Sequence, residues 1–480
     1  MDCYAGLMDA PRWSALLSGW RAGSGSRYDR LAEALRVGIR SGQLPPSEAL
    51  PAERALAQLL GISRSTVVAA YDTLAEGGWI TRRRGSGTRV AATAPRGANV
   101  LTLRTPSALP HGGDEFDFTI AVPLLNDSQR QEMRGAALDA FQESLYYPHG
   151  LPELRAVLAE IYTREGLPTT PEMVLITSGA QGAISLLAGV FLRPRDQVLL
   201  ETPTYFGAID AFRAAGAETV GVPVTAHGVE PAALAQALQQ HSPRLAFLTP
   251  TFQNPTGTVM PERAREKVAT VVADAGLPTI EDDTLIDLGF EVEAPPRIAT
   301  FAPAAPIFNV GSLSKLYWAG LRVGWLRVPA AHAGPVGQAR TLSDFGSSLP
   351  GQHIALRLLK DLPRLRHERR EAVTVARDLL AELLRAHLPG WRFTVPGGGQ
   401  FLWVELPTRQ TSAFTLCAAR YGVRLFPGAS MGVTVGMDGL PDSFLRLPFT
   451  LDPSRLPEAV QRLKAAWVEF RSRQGGERLA

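Results

Sequence analysis

Residues 309–325 read NVGSLSKLYWAGLRVGW and place Lys315 among hydroxyls and a guanidinium. The hydroxyls belong to Ser312 and Ser314, and the guanidinium belongs to Arg322. The whole chain has only four lysines, so a lysine in this setting stands out. A desolvated lysine near other cations has the lowered pKa that a Schiff base with an aldehyde requires, and the arginine and hydroxyls could bind a phosphate. We therefore expect a covalent ligand site here rather than an ordinary surface lysine.

Short apolar runs alternate with helix-like stretches around this segment. The predicted strands are MVLIT (173–177), DQVLLE (196–201), RLAFLTP (244–250), PTIEDD (278–283) and PIFNVGS (306–312). Repeated strand–helix units predict an α/β domain with a mainly parallel sheet over about residues 116–475. From about residue 332, long amphipathic helices followed by strands predict a smaller α+β lobe.

Polar residues follow the predicted strands at their carboxyl ends, where ligands bind in open α/β sheets. They are Ser178, Gly179, Ala180, Gln181, Tyr205, Asn254 and Asp282. The first four begin a helix whose free N–H groups and dipole could cradle a phosphate. Tyr205 could stack on a flat ring, although a packing role is equally open. Asn254 could donate to a ring oxygen, although the sequence NPTG is also a competent structural turn.

Asp282 completes the set because a carboxylate at the end of a buried strand needs a cationic partner to offset its desolvation. A protonated pyridine nitrogen would serve. An aldehyde at Lys315, a ring face at Tyr205, a phenolic oxygen at Asn254 and a phosphate at the remaining groups together describe a site for pyridoxal 5′-phosphate (PLP).

The first 98 residues differ from the rest of the chain in charge and pattern. They hold 13 arginines and no lysine against eight acidic residues, a balance of +5, whereas the remainder has a balance of −2. This excess suggests a polyanion partner, although an ordinary solvated surface is the alternative. Apolar stripes predict helices over 28–40 and 52–60, and a third helix begins after Ser63 as its N-cap. The last two, separated by a tight turn at Gly61, predict a helix-turn-helix.

The following segment, GGWITRRRGSGTRVA (77–91), predicts a β-hairpin with three consecutive arginines beside its tip. The first turn of the third helix carries Arg64, Ser65 and Thr66, which could reach base edges in the major groove. Arg54 and the hairpin arginines could neutralise phosphates. Double-stranded DNA is therefore the predicted partner, and a winged helix that binds protein is the alternative.

Residues 28–91 resemble the winged helix-turn-helix of GntR-type bacterial transcription regulators. The resemblance is carried by LPAERALAQLLGISRSTVVAAYDTLAEGGWITRRRGSGTRV (50–90) and covers both helices and the wing. In that family the matching residues lie at the DNA. The resemblance therefore implies DNA contacts by Arg54, Arg64, Ser65, Thr66 and Gly87.

The order and spacing of the PLP motifs resemble fold-type I aminotransferases across residues 116–470. This resemblance implies a large and a small lobe, an active site completed by a second subunit, and an α-carboxylate bound by Arg446 in SFLRLPF. Thr284 stands where the family commonly has a tyrosine, so one hydrogen bond to the phenolic oxygen of the cofactor is expected to be missing. In SLYYPHGLPELR, either Tyr146 or Tyr147 could reach the phosphate of the neighbouring subunit, and both alternatives remain open.

A GntR-type winged helix followed by an aminotransferase-like domain resembles the MocR-type regulators. The expected organisation is an N-terminal extension (1–27), a DNA-binding domain (28–91), a linker (92–115) and a PLP-binding domain (116–475). The leading hypothesis is a homodimeric transcription regulator that senses PLP, an amino compound or both through a Lys315 aldimine. The alternative is an active PLP-dependent aminotransferase that carries an accessory DNA-binding domain.

Composition excludes several other classes of protein. The chain has 480 residues and a mean hydropathy near zero, and it lacks the run of roughly 18 apolar residues that crosses a membrane. Its N-terminus lacks a signal-peptide pattern. Cys3 and Cys417 lie at opposite ends of the chain and cannot form a disulfide framework or a metal site. We expect a cytoplasmic protein with neither a metal ion nor a membrane partner.

Overall fold

The computed structural model describes residues 26–40, 48–76, 78–83, 87–91, 115–142, 145–291, 293–433 and 440–476, together with residues 13, 16, 17, 20 and 44. The chain forms two compact units, Met1–Val100 and Leu101–Ala480. The predicted linker lies outside the described residues except for Glu115. In the described ranges, no helix has the length and apolar character needed to cross a membrane.

The helices and strands of the N-terminal unit whose bounds lie within the described residues are three helices and a two-stranded hairpin. They are α1 (Arg27–Arg40), α2 (Glu53–Leu60), α3 (Arg64–Glu76), β1 (Ile80–Arg83) and β2 (Gly87–Val90). Gly61 ends α2 in the left-handed conformation, which favours glycine. The Ser63 hydroxyl then caps α3 by accepting a hydrogen bond from the Thr66 amide at 3.2 Å. β1 and β2 pair antiparallel, from Ile80 opposite Val90 to Arg83 opposite Gly87. The predicted winged helix-turn-helix is confirmed.

Part of the predicted N-terminal extension belongs to the core of this unit. Trp13, Leu17 and Trp20 are buried in the same apolar cluster as Leu35 of α1 and Leu74 of α3. Their spacing is that of residues sharing one helix face. These side chains therefore enlarge a core that the winged helix alone would make small.

The C-terminal unit begins with a large lobe built from alternating strands and helices. β3 (Phe116–Asp117) comes first along the chain and packs in the core of the smaller lobe. The large-lobe elements that follow it are α4 (Asp127–Leu138), α5 (Pro152–Arg164), β4 (Val174–Thr177), α6 (Ala180–Phe191), β5 (Gln197–Thr202), α7 (Phe206–Ala214), β6 (Glu218–Thr225), β7 (Gly228–Val229), α8 (Pro231–Gln240), β8 (Pro243–Leu248), α9 (Glu262–Ala275), β9 (Thr279–Asp282), α10 (Ile298–Phe301), β10 (Ile307–Ser312) and β11 (Gly324–Arg327). All five strands predicted for this lobe are present.

Eight strands form one sheet in the order β4-β11-β10-β9-β8-β5-β6-β7. The central pairs from β10 to β6 are parallel, whereas β11 runs antiparallel between β4 and β10. Helices cover both faces: Ile184 of α6 lies in the core on one face, and Val268 of α9 lies in the core on the other. The carboxyl ends of the parallel strands therefore meet at one edge of the sheet, which is the edge where ligands bind in such folds.

The remaining elements complete the large lobe and form the small lobe. They are α11 (Ala333–Asp344), α12 (Leu349–Leu359), α13 (Leu362–His387), β12 (Phe401–Glu405), α14 (Thr411–Ala419), β13 (Val423–Arg424), β14 (Phe426–Pro427), β15 (Phe444–Pro448) and α15 (Leu456–Gly476). β12, β15 and β14 form an antiparallel sheet, and β13 pairs with β3.

The sequence predicts the small lobe from about residue 332, and the apolar cores show which elements contribute to each lobe. Val336 of α11 and Ile354 of α12 pack in the cores of the large lobe. Within α13, Leu365 still belongs to the large-lobe core, whereas Val373 belongs to the small-lobe core with Phe118. The two lobes thus share one continuous helix. An amphipathic pattern shows that a helix has an apolar face but not which core that face contacts.

Leu17→Ala is expected to destabilise the N-terminal unit by about 3 kcal/mol, because truncating a fully buried leucine removes apolar contacts and leaves a cavity. Faster amide hydrogen exchange throughout α1 to α3 would reveal the loss. Leu16→Ala is the matched control, since Leu16 is half-buried and its truncation should have a smaller effect. Equal exchange in the wild type and Leu17→Ala would contradict this packing.

Candidate functional site

Lys315 lies just beyond the end of β10, where the residue is half-buried and its amine donates to the Ala121 carbonyl at 2.8 Å. Burial lowers the pKa of Lys315 to about 8, and the charges of Arg446, Arg369 and Arg322 contribute in that order. Near neutral pH the amine therefore has a much larger uncharged fraction than an ordinary lysine. An uncharged amine is the form that attacks an aldehyde.

Asp282 ends β9 and is buried at the same edge of the sheet. One of its carboxylate oxygens accepts a hydrogen bond from the Thr284 amide at 2.9 Å. Burial raises the pKa of Asp282, while its hydrogen bonds to Thr284 and the charge of Lys315 act in the opposite direction. A cation beside this carboxylate would favour its ionised form, as a protonated pyridine nitrogen requires.

Asn254 and Tyr205 supply two further groups. The Asn254 side-chain oxygen is buried and accepts no hydrogen bond within the described ranges. Tyr205 immediately precedes α7, and its ring centroid lies 5.1 Å from that of Phe206. Burial raises the pKa of the Tyr205 hydroxyl to about 12, so this hydroxyl remains a hydrogen-bond donor at neutral pH.

The turn from β4 into α6 forms a cradle of backbone and guanidinium groups. Gly179 has a φ of 93°, and α6 begins at the next residue. Arg322 donates from its Nη2 atom to the Ser178 carbonyl. A Cβ atom at Gly179 would lie 2.9 Å from that Nη2 atom, and the positive φ at this position favours glycine whatever the space around it. Free N–H groups and a guanidinium at a helix N-terminus suit a phosphate.

These groups line one cavity of about 130 Å³ at the carboxyl ends of the strands. The predicted residues among its lining are Ala180, Gln181, Tyr205, Asn254, Asp282, Ser312, Ser314, Lys315 and Arg322. Ser178 and Gly179 adjoin it through Arg322. The lining also includes Thr249 and Phe401, which the sequence analysis missed. Thr249 directly follows β8, so the strand-end rule that selected its neighbours could have found it.

Arg446 lies on β15 and is buried among aromatic rings. Its guanidinium carbon is 4.6 Å from the ring centroid of Phe401, which also lines the cavity, and 4.9 Å from that of Phe426. Burial lowers the pKa of Arg446 to about 10, and its Nε atom has no partner among the described residues. A carboxylate would supply the missing acceptor.

The residues present fit PLP. The protein alone leaves the buried Asp282 carboxylate with a raised pKa and the cradle at Gly179 with free N–H groups. The cofactor has a pyridine nitrogen and a phosphate that would complete them, and its phenolic oxygen could accept a hydrogen bond from the amide nitrogen of Asn254.

The predicted DNA-binding residues all belong to the N-terminal unit. Ser65 and Arg64 are exposed on the first turn of α3, and Arg54 is exposed on α2. Thr66 is half-buried, and Gly87 begins β2 with a φ of 77°. Their contacts with DNA remain a prediction.

The Glu53 carboxylate forms salt bridges with two arginines of this unit. The Nη2 atom of Arg64 is 3.0 Å from one Glu53 carboxylate oxygen, and that of Arg82 is 3.1 Å from the other. Arg82 also pairs with Asp72. DNA phosphates would therefore compete with Glu53 for two arginines.

The fold and the cavity define a PLP-binding protein of aminotransferase fold joined to a winged helix. The chain belongs to the aminotransferase class I and II family, whose model matches residues 124–463. Residues 27–90 match the model for bacterial regulatory proteins of the gntR family. The predicted MocR-type combination and the PLP assignment are thus confirmed.

The sequence is similar to relatives of two kinds, aminotransferases and transcription regulators. A 2-aminoadipate transaminase from Thermus thermophilus is 35% identical over 325 residues, which cover 66% of this chain and 79% of the relative. The probable rhizopine catabolism regulatory protein MocR from Rhizobium meliloti is 28% identical over 491 residues, which cover 93% of this chain and 94% of the relative. Among solved structures, LysN, an alpha-aminoadipate aminotransferase from Thermus thermophilus complexed with N-(5′-phosphopyridoxyl)-L-leucine, superposes with a TM-score of 0.69. It is 30% identical, and the match covers 75% of this chain and 94% of LysN.

The rate at which PLP attaches to Lys315 should rise with pH through about 8, because deprotonation of the amine generates the nucleophile. Arg446→Gln removes a cation and should raise the pKa of Lys315, which moves the midpoint to higher pH. Initial rates are measured as borohydride-trapped mass increase across the pH range. Arg385→Gln, at an exposed position on α13, should leave the midpoint in place. An unshifted midpoint in Arg446→Gln would count against this electrostatic coupling.

Glu53→Gln should strengthen binding to a random-sequence duplex several-fold, because it removes a negative charge beside the phosphates and releases Arg64 and Arg82. Fluorescence anisotropy at one fixed salt concentration measures the change. Glu33→Gln removes the same charge from α1, where the residue pairs with Arg36, and serves as control. The interpretation fails if the two variants behave alike.

Proposed function

We propose that this protein is a PLP-responsive transcription regulator that binds operator DNA through residues 28–91 and PLP through residues 116–475. Residues 92–115 tether the two domains. The observation that carries the proposal is the cavity that brings Lys315, Asp282 and Asn254 together, in the same chain as a winged helix whose Arg64 and Ser65 are exposed. A DNA-binding regulator acts where the DNA is, so the cytoplasm is the proposed location.

Each residue of the site has a proposed task toward the cofactor. Asp282 pairs with the pyridine nitrogen, Asn254 donates to the phenolic oxygen and Tyr205 covers the ring. The phosphate is held by Ser178, Gly179, Ala180, Gln181, Ser312, Ser314 and Arg322. When bound, PLP supplies an aldehyde that reacts reversibly with amines, and Lys315 supplies the amine from the protein.

The proposed effector is an amino compound that competes with Lys315 for the same aldehyde. Its carboxylate binds Arg446, whose buried Nε atom lacks an acceptor among the described residues. An amine that takes the place of Lys315 on the aldehyde carbon would give up two N–H protons, and the Lys315 nitrogen would take up two to become a free amine. For such a ligand to regulate, it must bind two conformations of the protein with unequal affinity.

A homodimer is part of the proposal. Large apolar side chains are exposed at the end of α4 and beyond it, where Phe141 is 80% and Tyr146 is 85% exposed. Leu342 on α11 is 82% exposed and Phe345 follows it. Exposed apolar residues of this kind suit a partner surface. The exposure of Tyr146, against a half-buried Tyr147, supports Tyr146 as the residue that reaches the second subunit. Two winged helices would then read two half-sites.

The deciding experiment is a footprint on DNA upstream of the protein's own gene, with and without PLP at one salt concentration. We expect specific protection whose pattern changes with PLP in the wild type. Lys315→Ala should retain protection but lose the change, because the covalent attachment is gone. Lys267→Ala, at an exposed position on α9, should behave like the wild type.

An active aminotransferase is the second candidate, since Lys315, Asp282 and Arg446 are all in place. Conversion of bound PLP to pyridoxamine phosphate with release of a keto acid, without specific DNA protection in either state, would favour this candidate and contradict the regulator.

A further inference from the structure

Glu201 is a buried carboxyl group near the carboxyl end of β5. It is not among the residues that line the Lys315 cavity. The sequence places it at the end of the predicted strand DQVLLE and indicates no role for it. Burying a carboxyl group in a sheet is costly unless its oxygens have partners, so its contacts show what this residue contributes.

Gln253 is the side chain that contacts Glu201. Its Nε2 atom donates to the Glu201 Oε2 atom at 3.1 Å and to the Pro203 carbonyl at 2.7 Å. Its Oε1 atom accepts from the amide of Thr256 at 3.0 Å and from the hydroxyl of that residue at 2.7 Å. Because a backbone N–H group can only donate, the Thr256 amide identifies the oxygen of the Gln253 side chain. The NH₂ group therefore faces Glu201.

The turn that begins at Gln253 carries Asn254, which lines the Lys315 cavity. The Gly257 amide donates to the Gln253 carbonyl at 2.6 Å, and the Gln253 amide donates to the Thr258 carbonyl at 2.9 Å. Gln253 is itself buried. Its backbone thus belongs to the turn, while its side-chain NH₂ group is bonded to the end of β5. One side chain therefore connects the position of Asn254 to that of Glu201.

The contact between Glu201 and Gln253 is not an ion pair. Burial raises the pKa of Glu201 to about 7, hydrogen bonds from Gln253 and from the Thr249 backbone lower it, and the charge of Asp282 raises it. The charge that acts on Glu201 is thus that of another carboxylate. The contact requires an oxygen that accepts a hydrogen bond, and an uncharged amide oxygen in the same position could fill that role.

We propose that Glu201 is a positioning residue for the cofactor: by fixing Gln253, it holds Asn254 in place to donate to the phenolic oxygen. The inference rests on the proposed function of the Lys315 site. Hydrogen bonds weaken steeply when their geometry is lost. Removing either partner should therefore abolish the contribution of the phenolic oxygen to binding, while the contributions of the pyridine ring and the phosphate remain.

The test compares pyridoxamine 5′-phosphate with its 3-deoxy analogue, which lacks the phenolic oxygen. Neither compound has an aldehyde, so neither bonds covalently to Lys315. Calorimetric titration into the cofactor-free full chain gives each affinity. Wild-type protein should bind pyridoxamine phosphate about ten-fold or more tightly than the analogue, as a charge-assisted hydrogen bond predicts. Asn254→Ala should bring this affinity ratio close to one.

Variants of the two partners assign the ratio to their contact. Glu201→Leu and Gln253→Met should each bring the ratio close to one, while the analogue keeps its affinity within about two-fold, which also shows that the site is folded. The double variant should have the same ratio as either single variant, because both remove one hydrogen bond. Glu201→Gln should keep the wild-type ratio, because its amide oxygen can accept from Gln253.

Thr202→Val is the matched control on the same strand. Thr202 follows Glu201 in β5, so the two side chains point to opposite faces of the sheet. The Thr202 hydroxyl accepts from the Val433 amide at 3.2 Å, and it has no printed contact with the turn that carries Asn254. Its removal should leave the affinity ratio unchanged.

Three results would overturn the inference: a wild-type ratio near one, a ratio that survives in both Glu201→Leu and Gln253→Met, or a ratio that is lost in Glu201→Gln. Equal weakening of both ligands in the variants would also overturn it, because that is the signature of a purely structural role. All of these leave the proposed function intact, since the wild type still binds the ligands. Failure of pyridoxamine phosphate to bind the wild type would instead contradict the proposed function itself.

Discussion

The electrostatic setting of the Lys315 amine is the constraint on which the ligand site of the C-terminal unit depends. The charges of Arg446, Arg369 and Arg322 lower the pKa of Lys315, and Asp282 is the carboxylate that lines the same cavity. Charges in a medium of low dielectric repel strongly unless anions or hydrogen-bond acceptors offset them. These cations lie on separate elements, on β15, on α13 and after β10, and the packing of those elements offsets the repulsion between them. A ligand that carries phosphate and carboxylate groups would reduce this repulsion, so ligand binding would also stabilise the folded unit.

Much of this site could be predicted from the sequence because its residues follow strands. Buried parallel strands produce short apolar runs, and the polar residues after them converge wherever the sheet places its carboxyl edge. Ser178, Asn254, Asp282 and Lys315 all obey that rule. Arg369 does not, because it comes from a helix whose pattern shows an apolar face without showing which elements that face contacts. The antiparallel strand β11 was missed for a related reason: Gly324–Arg327 has no signature that distinguishes insertion between β4 and β10 from a loop.

In the N-terminal unit, too, local features could be predicted from the sequence and tertiary contacts could not. Turn and cap chemistry is local, so Gly61, Ser63 and the antiparallel wing followed directly from the sequence. Trp13, Leu17 and Trp20 did not, because a short segment before α1 joins the core only through tertiary contacts. The bridging of Arg64 and Arg82 by Glu53 likewise depends on side chains that are 11 and 29 residues apart. Electrostatic features of a surface need the fold before they can be recognised.

The helix α13 connects the two lobes of the C-terminal unit. It spans 26 residues, or about 39 Å at the usual rise, and contributes apolar side chains to both cores. Because one helix contributes side chains to both cores, its register in one core constrains its register in the other. A slide or rotation of α13 would therefore disturb the packing of both lobes together.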